Sequence, residues 1–429
     1  MTAIAPASTA PQEDDDVTAA KRWRTPILLG IVALGSLLIF GLGTTPGEIT
    51  SFSFSRASDF FTFDMFTLPS RGTAVVASLL ALALSGYSAW CVSQSRKTGW
   101  WLPVVFGVAV MFSLLAWAGA GRGATDIQVT GLLTGAVVLS VPLVFGALSG
   151  VICERSGIIN IAIEGQLLAG AFLAAVVASA TGSAYIGLIA APIAGALVGV
   201  LLAVFSVKYW VNQIVVGVVL NVLVIGVTNF LFGTLLRDNA ELNQNIGISD
   251  LPIPLLSKIP IIGPVLFDHN LLVYLMYAAV IALTIMLFKS RWGLRVRAVG
   301  EHPEAADTVG IKVNRTRVRN TILGGAIAGL GGAYYTVASG LAFGKEMTAG
   351  AGYIALAAMI LGRWHPKGAL AAAVLFGFAI ALKDQLGIIG SPIPSQFLAM
   401  LPYLATIFAV AGLVGHARPP AAEGIPYKK

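Results

Sequence analysis

The sequence predicts an all-α, polytopic integral membrane protein with about 11–12 transmembrane helices, on three observations. Hydrophobic residues make up 57% of the 429 and charged residues 11%, against roughly 25% charge in soluble domains. The apolar residues fall in runs of about 20, the length a helix needs to cross a hydrocarbon core about 30 Å thick. The basic residues recur in alternate loops, the mark of segments kept on the cytoplasmic side. The net charge of +7 is thereby explained by topology, without nucleic acid as a partner. Gly is abundant at 48 residues, and GxxxG spacings at Gly146/Gly150, Gly195/Gly199 and Gly325/Gly329 suit helices that approach closely through small residues.

Residues 1–25, rich in Ala, Pro and Thr and containing the acidic run Glu13 to Asp16, read as a disordered cytoplasmic tail. Lys21, Arg22 and Arg24 precede a long apolar segment without a small-x-small cleavage site, which predicts an uncleaved first helix rather than a signal peptide. Candidate spans follow near 26–43, 72–93, 101–120, 128–152, 158–180, 184–206, 213–235, 270–288, 320–341, 350–362, 368–387 and 396–414. The tenth is short for a crossing, and a re-entrant or broken helix there would leave eleven. An N-terminus inside places Arg96 and Lys97, Lys208, the 289–319 hairpin, Arg363 with Lys367, and Arg418, Lys428 and Lys429 all inside, which supports twelve crossings. The outside receives the Phe-rich segment 44–71 and the loop from Leu236 to His269, both read as short amphipathic pieces.

The hairpin 289–319 carries eight Lys or Arg against three acids. Its centre, EHPEAADTVG, predicts a short helix: Pro303 suits the first helical position, Glu304 and Asp307 lie near the positive end of the dipole, and Gly310 supplies a left-handed stop. Ala305 and Ala306 are small, so such a helix can seat deeply in a groove on a partner. Read alone, this string is also compatible with a solvated turn between two membrane helices.

Inside the bilayer, an unpaired charge costs roughly 2.5–3.5 kcal/mol, so polar clusters mark function or a specific pairing. The densest is CERSGIINIAIEGQ, 153–166. Adjacent Glu154 and Arg155 offer a pairing, and Asn160 with Glu164 share a helix face at i, i+4. One reading makes Asn160 and Glu164 line a polar translocation route; the other makes the segment a helix break with its charges solvated or bonded to a neighbouring helix. Asn221 and Asn229 share a face of a later helix and join the pathway candidates. Asn212, Gln213 and the Lys383, Asp384, Gln385 cluster are weaker ones, since interhelical hydrogen bonds account for most intramembrane amides.

Cys91 and Cys153 lie in or beside apolar runs and give no disulfide framework. The four His, at 269, 302, 365 and 416, are scattered over different loops without a Cys/His cluster, so no metal site or catalytic residue is expected. No GxxxxGK[ST] loop is present, so a pump of this design needs its ATPase on another chain.

Three segments resemble the permeases of ATP-binding cassette (ABC) importers in the group serving nucleosides, simple sugars and branched-chain amino acids: GALSGVICERSGIINIAIEGQLLAGAF (146–172), GLRVRAVGEHPEAADTVGIKV (293–313) and GYIALAAMILGRWHPKGALAAAVLFG (352–377). They look most like one of two non-identical permeases in nucleoside systems. The resemblance implies a permease core over 128–415 and an added extension, 26–127, of about three helices. It makes 289–319 the cytoplasmic coupling loop, with Pro303, Glu304, Ala305, Ala306, Asp307 and Gly310 docking on the ATPase, and 416–429 a cytoplasmic tail. It further implies a non-enzymatic, multi-pass subunit of a bacterial plasma membrane that moves nucleosides by alternating access. The expected partners are ABC ATPase subunits carrying ATP and Mg, a second homologous permease in a heterodimer, an extracytoplasmic substrate-binding protein, and membrane lipid; no cofactor is expected on this chain. Sugars or branched-chain amino acids are the alternative cargo. An ion-coupled secondary transporter would need coupling acids in mid-helix in both halves, and the region 345–367 supplies none there, its one acid being Glu346 at the edge; a membrane enzyme would need clustered His, Asp or Cys.

Overall fold

The computed structural model describes residues 13–428, apart from 57, 97, 100, 123–125, 392, 402 and 405–417. The chain divides into two compact units. Among the described residues, nine helices are long and apolar enough to cross a membrane.

The first unit comprises 1–54, 63–129 and 385–394. It is built on helices α1 (Glu13–Ser36), α2 (Ser70–Ser93) and α3 (Trp101–Ala118). Small residues bring them together: Ala33, Ala81 and Ala109 are buried around Phe106. A chain of hydroxyls runs across the three, Ser36 to Ser78 at 2.9 Å and Ser78 to Ser113 at 2.8 Å. Ser113 also donates to the Ala74 carbonyl at 3.0 Å, so no member of the chain is left unbonded in an apolar setting. The described part of helix α1 starts at Glu13, so residues 13–25 are helical, not the disordered tail that composition predicts. Residues 1–12 lie outside those described.

The Phe-rich segment, read as a short amphipathic piece, contributes two strands of a small sheet. Strand β1 (Ile49–Ser53) pairs antiparallel with β2 (Phe66–Pro69), Ile49 facing Pro69 and Phe52 facing Phe66. It pairs in parallel with β3 (Ile127–Gln128), Phe52 facing Ile127. Phe52 is fully buried and stacks on Phe112 of α3 with ring centroids 4.9 Å apart, which ties the sheet to the helices.

The second unit comprises 55–62, 130–384 and 395–429. At its centre α4 (Val129–Arg155) is buried without interruption from Ser140 to Glu154, as expected of a helix apolar on all sides. Around it run α5 (Ile163–Thr181), α6 (Ala184–Ala203), α7 (Gln213–Leu231), the short α8 (Ile262–Leu266) and α9 (Leu271–Lys289). Next come α10 (Arg291–Glu301), α11 (Pro303–Thr308), α12 (Val313–Gly332), α13 (Ala351–Leu361), α14 (Pro366–Ile388) and α15 (Ser395–Ala399). Three predicted spans stand apart from the nine. The span at 320–341 is α12, whose first turns carry Arg315, Arg317 and Arg319 and which ends at Gly332. The span at 350–362 is the eleven-residue α13. The span at 396–414 falls mostly outside the described residues.

All three GxxxG pairs sit where helices touch. A Cβ at Gly195 would lie 2.2 Å from the Gly325 carbonyl oxygen, and one at Gly329 would lie 2.5 Å from that of Ala191, so the pairs of α6 and α12 pack directly on one another. Cβ atoms at Gly146 and Gly150 would meet Ala355 at 2.7 Å and Met359 at 2.6 Å, so the third pair of α4 receives α13.

Substituting Ile for Gly195 or Gly329 forces apart backbones that are in contact, and overpacking of this kind costs on the order of 1–3 kcal/mol or more. Thermal unfolding of the purified chain in detergent is expected to drop by several degrees for each, whereas Gly226→Ala, where a Cβ meets nothing within 4 Å, leaves the midpoint unchanged or slightly raised.

Candidate functional site

Two helix breaks face each other in the second unit. Between α4 and α5 the chain leaves the helix over residues 156–162, turning at Gly157 with φ +92. After α12 it passes through a single 3-10 turn and an irregular stretch before α13 resumes at Ala351. That stretch descends along α7, since Glu346 accepts from Asn229 at 3.2 Å while Tyr353 lies 3.3 Å from Asn221. The eight residues from 221 to 229 span about 12 Å of helix. The tenth predicted span is therefore the half-length helix α13, preceded by irregular chain.

Glu164 holds this arrangement. Its carboxylate accepts from the Thr348 hydroxyl at 2.6 Å and the Gly350 and Gly352 amides at 2.9 and 2.6 Å, and thus caps α13 from another helix. Without it, first-turn amides of α13 would be orphaned where water is excluded, and a negative charge at a helix N-terminus also meets the positive end of the dipole. A Cβ at Gly352 would lie 2.4 Å from the Glu164 nitrogen, so glycine is what lets the two chains approach.

Asn160 is fully buried and tied down. Its amide nitrogen donates to the Ser149 hydroxyl at 3.0 Å and to Gln166 Oε1 at 2.9 Å, and Gln166 returns a bond to its Oδ1 at 3.2 Å. Asn221, buried on α7, accepts from the Gly165 amide at 2.8 Å and donates to the Ile161 carbonyl at 2.9 Å. Gln213 accepts from the Ile159 amide at 2.7 Å, and Asn212 caps α7 by accepting from Ile214 at 2.9 Å. Three of the four pathway candidates, Asn160, Glu164 and Asn221, are thus brought together as braces of the break, while Asn229 lies apart with Glu346. Tyr353, beside Asn221, is half exposed.

Glu154 and Arg155 do not pair with each other, contrary to the expectation from their adjacency. Successive residues on a helix point to different faces. Glu154, buried, accepts from the Trp364 indole nitrogen. Arg155 donates to the Trp364 carbonyl at 3.1 Å and the Arg363 carbonyl at 3.4 Å, and lies 3.9 Å from Glu301. The two therefore clamp the turn between α13 and α14, where Arg363 and Trp364 both adopt positive φ, +56 and +53. Such backbone persists only where its surroundings fix it.

The loop from 289 to 319 folds as α10, α11 and the start of α12. Pro303 occupies the first position of α11 and Gly310 has φ +84, as the string EHPEAADTVG predicts. Glu304 and Ala305 are exposed, whereas Ala306 is buried against Val299 and Val313. Of the two small residues, only Ala305 is open to a partner. Beside α11 lies a groove of about 710 Å³ lined by Arg291, Arg295, Val309, Lys312, Arg315 and Arg319. Among the described residues none of its five cations forms an ion pair, so the groove presents unneutralised positive charge.

Beneath this loop returns the C-terminal segment 418–428. The Ala422 amide donates to the Gly300 carbonyl at 2.9 Å, the Gly424 amide to Gly157 at 3.2 Å, and the Ala421 amide to Glu301 Oε2 at 3.1 Å. Glu423 lies beside Glu154, with its Oε2 buried and without a hydrogen-bond partner among the described residues. Burial is the largest influence on Glu423 and raises its carboxyl above the ordinary 4.5, against lowering by Glu154 and by Arg155. Among the described residues, no group of His, Cys, Asp and Glu is arranged to hold a metal ion.

Replacing Glu164 by Ala leaves a hydroxyl and two amides unsatisfied, at about 1–3 kcal/mol each. Proteolysis or amide exchange across 345–353 is expected to rise at least tenfold, with Gln, which keeps one acceptor oxygen, intermediate. The Glu423 carboxyl is raised when seated, so the segment is held most firmly below pH 4.5 and loosens as pH climbs through the raised value. The charged groups around it are Glu154 and Arg155 of α4, Glu301 of α10 and Arg317 of α12. A nitroxide at Pro426→Cys is expected to gain mobility as pH rises above 4.5, and Glu423→Gln to flatten that response.

Comparison with known proteins agrees with this architecture. The model of the branched-chain amino acid transport system / permease component family matches residues 132–413. The chain is similar to the guanosine ABC transporter permease protein NupQ of Bacillus subtilis (strain 168), 38% identical over 71% of this chain and 98% of that one. It is 38% identical to the nucleoside ABC transporter permease protein NupC of Lactococcus lactis subsp. cremoris (strain MG1363), over 68% of this chain and 95% of the relative. A second guanosine ABC transporter permease protein of the same Bacillus strain, NupP, is 28% identical over 64% of this chain and 81% of its own length. No solved structure matches the chain. The chain is a multi-pass membrane permease, a member of the branched-chain amino acid transport system / permease component family.

Proposed function

We propose that this permease translocates nucleosides as one membrane subunit of an ABC importer, powered by separate ATPase subunits that bind ATP and Mg. The observation that carries the reading is the 38% identity to two permeases named for guanosine and nucleosides, over 95% or more of their lengths. The separate likeness to NupQ and, more distantly, to NupP of one strain supports a heterodimer in which this chain takes the NupQ-like place. An extracytoplasmic binding protein would deliver the substrate.

The geometry supports the division of labour. Exposed Glu304 and Ala305, with the flanking basic groove, form a rigid, charged docking face for the ATPase. That face belongs to the same end of the unit as Arg363, Lys367 and the C-terminal segment, which supports cytoplasmic placement of the loop and C-terminus by the positive-inside rule; the N-terminus follows, from Lys21, Arg22 and Arg24. A nucleoside is uncharged, with hydroxyls and an aromatic base. The Tyr353 ring and hydroxyl, with Asn229 and Glu346 above it, offer stacking and hydrogen bonding of the right kind, while Asn160, Glu164 and Asn221 set their positions.

Cells lacking the chain are expected to lose uptake of labelled uridine and guanosine at least tenfold, with ribose and leucine uptake unchanged; loss of ribose or leucine uptake instead would overturn the cargo. Glu304→Lys combined with Gly310→Pro is expected to abolish co-purification of the ATPase together with uptake, and retention of both would remove the docking assignment.

A further inference from the structure

Residues 418–428, RPPAAEGIPYK, have the composition of a free tail, yet they bridge separate elements of the second unit. Ala422 and Ala421 bond α10 at Gly300 and Glu301, and Gly424 bonds Gly157 in the break between α4 and α5. Tyr427 packs on the cluster of Val299, Ala306 and Val313, the side of α11 that faces inward. Lys428 lies 4.9 Å above the Trp210 ring, before α7. The three prolines at 419, 420 and 426 stiffen the segment, so less entropy opposes its docking.

The interlock is tightest at Arg317. This side chain is 1% exposed, and it donates to the Ile425 carbonyl at 2.7 Å and the Ala422 carbonyl at 3.4 Å. A buried guanidinium without acceptors is strongly unfavourable, so the start of α12 adopts this position because the segment is there. Gly157 leaves the room, since a Cβ on it would lie 2.7 Å from Arg317 Nη2. Likewise a Cβ at Gly300 would lie 2.2 Å from the Arg155 carbonyl oxygen, so α10 is flush with the end of α4 where the break begins.

We infer that the 418–428 segment is a coupling strap, which makes the loop around α11 and the 156–162 break move as one body. A displacement of α11 reaches Ala306, then Tyr427 and the strap backbone, then Gly157. From the break it passes to Glu164, five residues from Ile159, whose carboxylate holds α13. Arg317 is a positioning residue in this scheme. The inference rests on the coupling-loop reading proposed above; the strap meets α11 on its buried side at Ala306, whereas Glu304 is on the exposed side.

The test uses the assembled importer, with its ATPases, second permease and binding protein, in lipid nanodiscs, and compares the full chain with a chain ending at 417 and with Ala422→Pro, which removes one amide donor. Nucleoside moved per ATP hydrolysed is expected to fall at least tenfold on truncation and at least threefold for Ala422→Pro, with ATPase affinity within twofold of the full chain. A strap that only packs would lower the amount of assembled importer and leave the ratio unchanged, and that result for Ala422→Pro would overturn the inference even where the truncated chain does not assemble. Glu304→Lys separates the two readings. If it leaves ATPase association intact, the docking assignment fails, whereas loss of association together with an unchanged ratio in the strap variants sinks the strap alone.

Discussion

A half-length helix in hydrocarbon needs something other than water to meet its first amides, and in this permease a single carboxylate does so. Glu164 stands on α5 and caps α13 through Thr348, Gly350 and Gly352. Much else follows from that grip. Gly352 has to be glycine for the approach, and α13 can be eleven residues long. The irregular chain before it can enter the bundle because it is covered by α7 and by the break at 156–162, the condition under which non-helical backbone is tolerated at depth. Asn221 and Gln213 then have a common purpose, which is to satisfy amides and carbonyls at the break, while Asn160 ties the break to the Ser149 and Gln166 side chains.

Close helix approach is the complementary constraint. The contact of Gly195 with Gly325 and the seat of α13 on Gly146 and Gly150 place backbone against backbone. Among membrane helices apolar burial gives little drive, and dispersion at short range has to supply it. The same contacts limit how the unit can deform. Helices locked by backbone contact slide or rotate as pairs, so the parts free to change are the braced breaks and the turn at Arg363 and Trp364.

Legibility in the sequence followed locality. The helix Pro303–Thr308 and its left-handed stop at Gly310 were readable because proline, acidic first turn and glycine act within one short string. The apolar spans were readable because hydropathy is local too. The polar run 153–166 announced itself as costly, but its purpose did not, since the partners of Glu164 stand 184 to 188 residues away. Trp364, Gln166, Ser149 and Tyr353 were missed for the same reason: each is unremarkable until the fold sets it beside Glu154, Asn160 or Asn221. The sheet β2-β1-β3 was hidden because β3 arrives only after two intervening helices, and the strap because a Pro- and Ala-rich end has no pattern of its own.

The disposition of charge bears on the energy source. A transporter driven by an ion gradient needs an ionisable group at depth whose occupancy can change during the cycle. Glu164 is fully engaged by three donors, Glu154 by Trp364, and Arg155 by two carbonyls and Glu301. Lys383 and Asp384 neutralise each other at 3.0 Å. These groups fasten the breaks and turns, so displacing any one of them would loosen the scaffold rather than cycle a proton through it. Work delivered from outside, to a loop whose exposed face is charged and whose inner face is packed on the rest of the unit, does not meet that obstacle. The same fastenings that make these charges unsuitable for ion coupling make the breaks stiff enough to pass on a push.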